Sequence, residues 1–317
     1  MIKAFLGKLN SSIRLYNGAV GVKRPVGSLP SPTLELYEYE ASPWCKKVRE
    51  CINILGLKVN VKPCPRETFR VEGGYSELSV NRKQLAEKYG KERLLFPCLV
   101  DVQKNIVMNE SSDIVECKSC YIHIYIFNTL PSNTYYVYPT EDLWDTYGDD
   151  VKHTRPKVDA FLNSQLPRVF QLPFLFTLFP NKGVLVTPTK FNAREHEPLL
   201  FYSCEPSVHG RFVREALSSL QIHYTYIPTP CNSHYMDEVE ELQQEEFDPR
   251  KHFVLIDPNC NESQGAKMFF YNDSAAAIHY LYKTYQAGER VPFTNTIVNN
   301  LGRSGSFREA MIKNILF

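Results

Sequence analysis

The feature that most constrains the fold of this chain is an internal repeat. Residues 34–51 have the pattern of a short strand, a turn and a helix start, and residues 199–216 have the same pattern. Aligning the Val-Arg-Glu triplet that both segments contain places Ser42 over Ser207. Because self-similarity at a fixed spacing indicates one structural unit used twice, the fold must accommodate two copies of this unit.

Each copy continues with the same order of predicted elements. A second strand, a polar helix, a buried strand, an outer strand and a last helix follow the first helix. They are predicted at 58–63, 77–89, 94–100, 106–109 and from 110 in the first copy, and at 223–228, 236–247, 253–256, 267–272 and from 273 in the second. The order β-α-β-α-β-β-α predicts a mixed sheet with helices on both faces. We therefore predict an α/β protein with two domains in tandem, each a four-stranded mixed sheet flanked by helices.

Composition excludes several classes of protein. The chain has 317 residues, of which 43% are hydrophobic and 22% charged, which is the composition of a globular protein rather than of a disordered or fibrous one. The net charge of +1 favours no nucleic-acid partner. No apolar run reaches the ~20 residues that a membrane span needs. The nine cysteines are an odd number and sparse, which indicates free thiols in a reducing, intracellular compartment.

The N-terminal segment differs from the rest of the chain. Before Glu35 it holds five basic residues and no acidic residue, and apolar side chains spaced between Ile2 and Ile13 fall on one face of a helix. This pattern resembles an organelle transit segment, which would direct the protein to a plastid or mitochondrion instead of the cytoplasm. The alternative is a surface helix that docks on the domain.

The predicted organisation has five parts. They are a basic extension at 1–33, a first domain at 34–150, a linker at 151–196, a second domain at 197–286 and a tail at 287–317. Within the first domain, residues 117–142 form an apparent insertion that splits the last helix, and we interpret them as a loop without a catalytic role. The insertion begins with Cys117 and Cys120, but a solitary CxxC pair is weak support for zinc, and we expect no metal.

Three motifs of the first copy resemble a known family. They are Ser42-Pro43-Trp44-Cys45, Phe96-Pro97 and Asn109-Glu110-Ser111, which resemble the thioredoxin-like N-terminal domain of glutathione transferases and glutaredoxins. The pair of copies, together with Pro63-Cys64-Pro65, resembles a tandem glutathione transferase N-terminal domain family of plants and protists. The resemblance implies a thioredoxin-like fold in both copies and glutathione as the ligand or substrate.

The resemblance implies catalytic roles for Ser42 and Cys45. A group at a helix N-terminus faces unpaired N–H groups, which stabilise a thiolate. The Ser42 hydroxyl can donate a hydrogen bond to the thiolate of bound glutathione, but it cannot form a mixed disulfide. The alternative for Ser42 is a helix N-cap before a proline, and the alternative for Cys45 is a small buried hydrophobic side chain.

The resemblance also implies that Phe96, Pro97, Glu110 and Ser111 bind glutathione. Phe96-Pro97 resembles the cis-proline that turns the preceding backbone toward the cysteinyl part of the peptide. Glu110-Ser111 resembles the pair that holds the γ-glutamyl end. The alternatives are a trans proline that opens an edge strand and an ordinary helix cap.

The second copy departs from the family pattern. Its turn is Ser207-Val208-His209-Gly210, and Phe253 stands in the place of Pro97. The linker is also too short for the all-helical domain that forms the electrophile pocket of complete transferases. We therefore predict a glutathione-binding protein with possible transferase or glutaredoxin-like thiol chemistry in the first copy, with an electrophile or a mixed disulfide as the second substrate. The alternative is a non-catalytic scaffold of two thioredoxin-like folds.

Overall fold

The computed structural model describes residues 18–21, 34–40, 42–65, 79–89, 95–103, 106–115, 196–243, 253–259 and 268–286. The predicted insertion at 117–142, the tail at 287–317 and nearly all of the linker and the basic extension lie outside these residues. Within the described part, no helix is long and apolar enough to cross a membrane.

In the first half, the described residues between 34 and 115 form four strands and three helices. These are β1 Leu34–Glu38, α1 Pro43–Leu55, β2 Val59–Pro63, α2 Val80–Tyr89, β3 Cys98–Asp101, β4 Ile106–Asn109 and α3 Ser111–Val115. The sequence prediction of these elements and of their order is confirmed, with bounds that differ by a few residues.

The second half, residues 196–286, repeats this order. Its elements are β5 Leu199–Ser203, α4 Val208–Ser219, β6 Tyr224–Pro228, α5 Met236–Gln243, β7 Val254–Asp257, β8 Met268–Tyr271 and α6 Ser274–Tyr285. The last helix is longer here than the described part of its counterpart α3.

All eight strands form one mixed sheet in the order β4-β3-β1-β2-β6-β5-β7-β8. In each half the first two strands are parallel and the last two are antiparallel to their neighbours. The halves meet where β2 pairs antiparallel with β6, with Asn60 opposite Thr225. The predicted four-stranded sheets are therefore joined edge to edge, which also removes an exposed edge from each.

Helix α1 shows how local sequence sets the elements on this sheet. Ser42 caps its first turn, and Gly56 ends it in the left-handed conformation at φ 65°. Glycine is favoured there because it has no Cβ to clash. Val48, Ile52 and Leu55 recur at helical spacing and are fully buried in a core that includes residues of both halves.

Five charged side chains are buried where the two halves meet, and we call them the junction cluster: Glu38, Glu40, Arg49, Glu205 and Arg214. Arg49 donates from Nε to Glu205 at 2.8 Å and from another nitrogen to Glu38. Arg214 donates from Nε to Glu40 at 2.9 Å. Because the two arginines are equivalent in the repeat, as are Glu40 and Glu205, each half contributes an arginine to the glutamate of the other.

Uncharged groups repeat the same exchange beside the cluster. The Glu205 amide donates to Asn53 Oδ1 at 3.1 Å, and the Glu40 amide donates to Ser218 Oγ at 3.3 Å. Asn53 and Ser218 are again equivalent in the repeat. The contacts across the junction therefore follow an approximate two-fold relation.

The cluster contains three carboxylates and two guanidinium groups, and a third guanidinium, that of Arg211, lies 3.9 Å from Glu40. Burial raises the pKa of Glu38 from 4.5 to about 7. Burial acts in the same direction on Glu205, but the charges of Arg214 and Arg49 outweigh it and lower that pKa to about 2. The proton therefore belongs on Glu38, which contacts one arginine, whereas Glu205 contacts two.

The raised pKa of Glu38 should make the stability of the protein depend on pH. Between pH 4.5 and about 7 the folded chain retains a proton on Glu38 that the unfolded chain releases, so this contribution to the free energy of unfolding is lost as the pH rises through that range. We expect Glu38→Gln, which is neutral at every pH, to lose less stability than the parent between pH 5 and pH 8 in urea unfolding. Equal losses in the two proteins would show that Glu38 is ionised throughout.

Four residues of the predicted basic extension pack on the second half. Val20 forms a parallel bridge with Cys231, and the two backbones exchange hydrogen bonds of 2.8 Å through Ala19 and Gly21. A Cβ at Gly21 would overlap Pro230, so this close approach requires glycine. These contacts favour docking for residues 18–21, while a transit role for the extension stays a prediction.

Candidate functional site

The sheet register brings the three predicted motifs of the first half to one end of the sheet. Tyr37 near the end of β1 pairs with Cys98 at the start of β3, and Cys98 pairs with Asn109 at the end of β4. The Ser42 turn follows β1, Phe96–Pro97 precedes β3 and Glu110 follows β4. The predicted site residues therefore adjoin one another at the same sheet end.

Ser42 and Cys45 lie at the start of α1. The Ser42 hydroxyl accepts a hydrogen bond from the Cys45 amide at 3.3 Å and caps the helix, while its own hydrogen can be donated elsewhere. Cys45 is fully buried, and burial raises the pKa of its thiol to about 12. Cys45 is therefore a thiol rather than a thiolate at neutral pH, which favours the alternative of a small buried side chain.

The Phe96–Pro97 peptide bond is cis, as the family resemblance implies. Phe96 is half-buried, and its ring lies 4.3 Å from the guanidinium carbon of Arg82 on α2. The alternative of an ordinary trans proline is thus excluded.

Glu110 and Ser111 form the turn from β4 into α3. Glu110 has φ 70°, in the left-handed region, and its carbonyl accepts from the Ile114 amide at 3.0 Å. Partial burial and the charge of Asp113 raise the pKa of the Glu110 carboxyl. Ser111 is buried, whereas Glu110 is exposed to solvent.

Sequence analysis named Asn109 as part of the motif at this turn but assigned it no role. Asn109 Oδ1 is buried and has no hydrogen-bond partner among the described residues. Since buried acceptors are nearly always paired, this oxygen is a candidate to accept from a ligand. An asparagine at the end of an otherwise apolar strand, directly before Glu110-Ser111, was the available signal.

Comparison with known families is informative for the first half. Residues 36–117 match the family model described as "Glutathione S-transferase, N-terminal domain". The match includes all six predicted site residues and supports a transferase-like thioredoxin-fold domain with a function related to glutathione in general. No match was found among the curated proteins or among the solved structures.

The second half has a different group at the equivalent helix start. Ser207 caps α4 as Ser42 caps α1, accepting from the Gly210 amide at 3.1 Å. His209 stands in the place of Trp44, and its Nδ1 lies 3.1 Å from Ser274 Oγ. This hydrogen bond joins the starts of α4 and α6.

The turn before the last helix also differs by one residue. Cys98 pairs with Asn109 in the first half, whereas Val254 pairs with Tyr271 in the second. Consequently Asn272, with φ 52°, takes the left-handed conformation, and Asp273 is an additional capping residue before α6. The sequence alignment of Asp273-Ser274 with Glu110-Ser111 therefore holds for the helices but not for the strands.

The close packing around Gly210 should make the stability of the protein sensitive to a larger residue at this position. Gly210 replaces Cys45 in the second half, and a Cβ there would overlap the Ser203 hydroxyl. We expect Gly210→Ala to lower the free energy of unfolding by about 1–3 kcal/mol, the usual cost of overpacking, measured by urea unfolding. Adding Ser203→Ala should recover part of the loss. A double variant as unstable as the single one would place the cause elsewhere.

Proposed function

We propose that the first half binds glutathione at the sheet end where Ser42, Phe96–Pro97 and Glu110-Ser111 adjoin one another. The observation that supports this most directly is the strand register, which brings Phe96–Pro97, the Ser42 helix start and the Glu110 turn to one sheet end. The family match over residues 36–117 supports a glutathione-related function on independent grounds.

The γ-glutamyl and cysteinyl residues of the tripeptide find suitable groups in this arrangement. The backbone of Phe96 offers main-chain groups for a short β-like ladder with the cysteinyl residue. The Ser111 hydroxyl can donate to the α-carboxylate of the γ-glutamyl residue, and the Glu110 carboxylate can accept from its ammonium group. Asn109 Oδ1 supplies a further acceptor beside that ammonium group.

The proposed chemistry uses the thiolate of bound glutathione. Ser42 donates a hydrogen bond to that thiolate and lowers its pKa, so that more of the ligand is ionised at neutral pH. The thiolate then attacks an electrophile, forming a thioether, or attacks a mixed disulfide and displaces the other thiolate. The buried Cys45 has no step in this scheme.

For the second half we propose a duplicated thioredoxin-like domain that has lost this site. It lacks the proline and the cysteine, and the His209–Ser274 hydrogen bond occupies the corresponding turn. We place the protein in a reducing compartment, the cytoplasm or an organelle, because its nine cysteines are sparse and odd in number and the six that the structure describes are free thiols.

A non-catalytic scaffold is the competing function, and the matching caps Ser42 and Ser207 favour it because both have a complete structural role. Two measurements distinguish the proposed glutathione chemistry from a scaffold. Calorimetry tests whether glutathione binds, and assays of aryl halide conjugation and of mixed-disulfide reduction test for turnover. Binding with turnover supports our proposal, binding without turnover favours the scaffold, and the absence of binding overturns the site.

The two caps provide a matched test of Ser42. Ser42→Ala and Ser207→Ala should each lower the free energy of unfolding by about 1 kcal/mol, because each removes one N-cap. Only Ser42→Ala should also lower the rate of conjugation and raise the pKa of the thiol of bound glutathione. The absorbance of the thiolate, measured as a function of pH, reports this pKa. If both variants retain full activity, Ser42 is a cap and nothing more.

A further inference from the structure

Arg82 on α2 connects two segments that flank the proposed site. Its guanidinium donates to the carbonyls of Cys64 and Pro65 at 2.7 to 3.0 Å. The same group stacks on the Phe96 ring, a cation–π contact that fixes the ring next to the cis bond. Arg82 is buried, so its position follows that of α2.

The first turn of α2 is in turn bound by the second half. The Val80 amide donates to Gln221 Oε1 at 2.9 Å, and His223 Nε2 lies 2.6 Å from Asn81 Oδ1. Asn81 also donates from Nδ2 to the Pro63 carbonyl at 2.6 Å. Since that carbonyl can only accept, Asn81 must present its oxygen to His223, and His223 must therefore donate.

Burial and the nearby charge of Lys62 favour the neutral form of the His223 ring. They lower the pKa of the ring to about 4, so at neutral pH the imidazole has a single N–H. That N–H is on Nε2, because Nε2 faces an acceptor. The hydrogen-bonded chain from His223 through Asn81 to Pro63 is thus complete, and Arg82 continues it to the next two carbonyls.

We propose that Arg82 is a positioning residue for Phe96–Pro97, and that Gln221 and His223 of the second half hold the helix to which it belongs. This inference rests on the proposed glutathione site and assigns the second half a role in it. A half without its own cis-proline would then serve the site of the other half.

In the second half, the carbonyl that corresponds to that of Pro63 is bound without a residue of the first half. Pro228 is equivalent to Pro63, and its carbonyl accepts from Ser233 Oγ at 2.8 Å within the same half. The second half therefore satisfies this carbonyl with its own residue, whereas the first half relies on an asparagine that His223 orients.

The test compares four variants of the full chain: Arg82→Met, Arg82→Lys, His223→Ala and Thr225→Val. Thr225→Val is the matched control, because the Thr225 hydroxyl donates to Asn60 across the same junction at 2.9 Å and forms no hydrogen bond with the described residues of α2. Calorimetry measures the dissociation constant for glutathione, hydrogen exchange follows peptides over 79–89 and 95–103, and urea unfolding reports global stability.

We expect Arg82→Met to weaken glutathione binding by roughly tenfold and His223→Ala by about fivefold, as expected for the lost hydrogen bonds. Arg82→Lys should recover part of the affinity, since an ammonium group can still donate to one carbonyl. Exchange over 95–103 should become faster in Arg82→Met and His223→Ala after correction for global stability, and it should be unchanged in Thr225→Val.

Unchanged exchange over 95–103 in folded Arg82→Met and His223→Ala would overturn the inference. A parent protein that does not bind glutathione would overturn the proposed function, yet the exchange of Phe96 and its neighbours would still decide whether Arg82 and His223 position them. Equal losses of affinity in Thr225→Val and His223→Ala would reduce His223 to a general contact between the halves, which also contradicts the inference.

Discussion

Arg49→Met is expected to lower the free energy of unfolding by about 3–5 kcal/mol, the cost of removing one partner from a buried ion pair. The Arg49 side chain is 1% exposed and contacts Glu38, Glu40 and Glu205 within 3.2 Å. Methionine fills a similar volume but leaves these carboxylates without their common cation. Because an ordinary domain is stable by only ~5–15 kcal/mol, this change removes a large share of the total.

The approximate two-fold relation supplies a second variant and the surface supplies a control. Arg214→Met should cost a similar amount, since Arg214 binds Glu40 in the same manner. Lys62→Met removes a partly exposed pair, in which Lys62 Nζ lies 2.7 Å from Glu35, and should cost only about 0–1 kcal/mol. Urea unfolding measures all three. An Arg49→Met variant no less stable than Lys62→Met would contradict the stabilising role of the junction cluster.

The second large effect concerns glutathione itself. We expect Glu110→Ala combined with Ser111→Ala to weaken binding by more than about tenfold, because charge-assisted hydrogen bonds contribute ~1.5–3 kcal/mol each and two of them are lost. The double variant removes the buried Ser111 hydroxyl and the exposed Glu110 carboxylate and leaves Asn109 in place. Isothermal calorimetry of the folded variant measures the change.

The matching double variant in the second half is the control for this experiment. Asp273→Ala with Ser274→Ala removes a cap of α6 and the hydroxyl that contacts His209. It should leave glutathione binding unchanged, because Phe253 replaces the proline that orients the peptide there. Unchanged affinity in the Glu110/Ser111 variant would remove this turn from the site, and urea unfolding of both variants checks that they are folded.

Local rules account for the part of the structure that sequence predicted well. The repeat predicted the order of elements in both halves, and Ser42 before Pro43 predicted the start of α1. Caps and helical periodicity depend on residues three or four positions apart, so a linear sequence contains them. The resemblance of Phe96-Pro97 to a family motif added the cis bond, which no local rule predicts.

The sequence did not reveal how the two copies associate. It predicted two separate sheets, whereas the pairing of β2 with β6 makes one sheet of eight strands. The junction cluster was equally hidden, because Arg49 and Arg214 belong to a Val-Arg-Glu triplet that has the pattern of an ordinary polar helix face. Edge pairing joins residues more than a hundred positions apart, and no periodicity encodes such a distance.

Burial decided the chemistry of the individual groups. The sequence alone left two interpretations of Cys45, a nucleophile or a small packed side chain. Its complete burial raises the pKa of the thiol, which favours the packed side chain. In sequence, His223 and Asn81 had no visible relation, yet the fold brings them to 2.6 Å. The sequence by itself thus determined the elements, their order and the candidate turns, because these depend on near neighbours along the chain. The tertiary structure alone decided which side chains meet and which lose water, because contacts and desolvation arise only when distant segments pack.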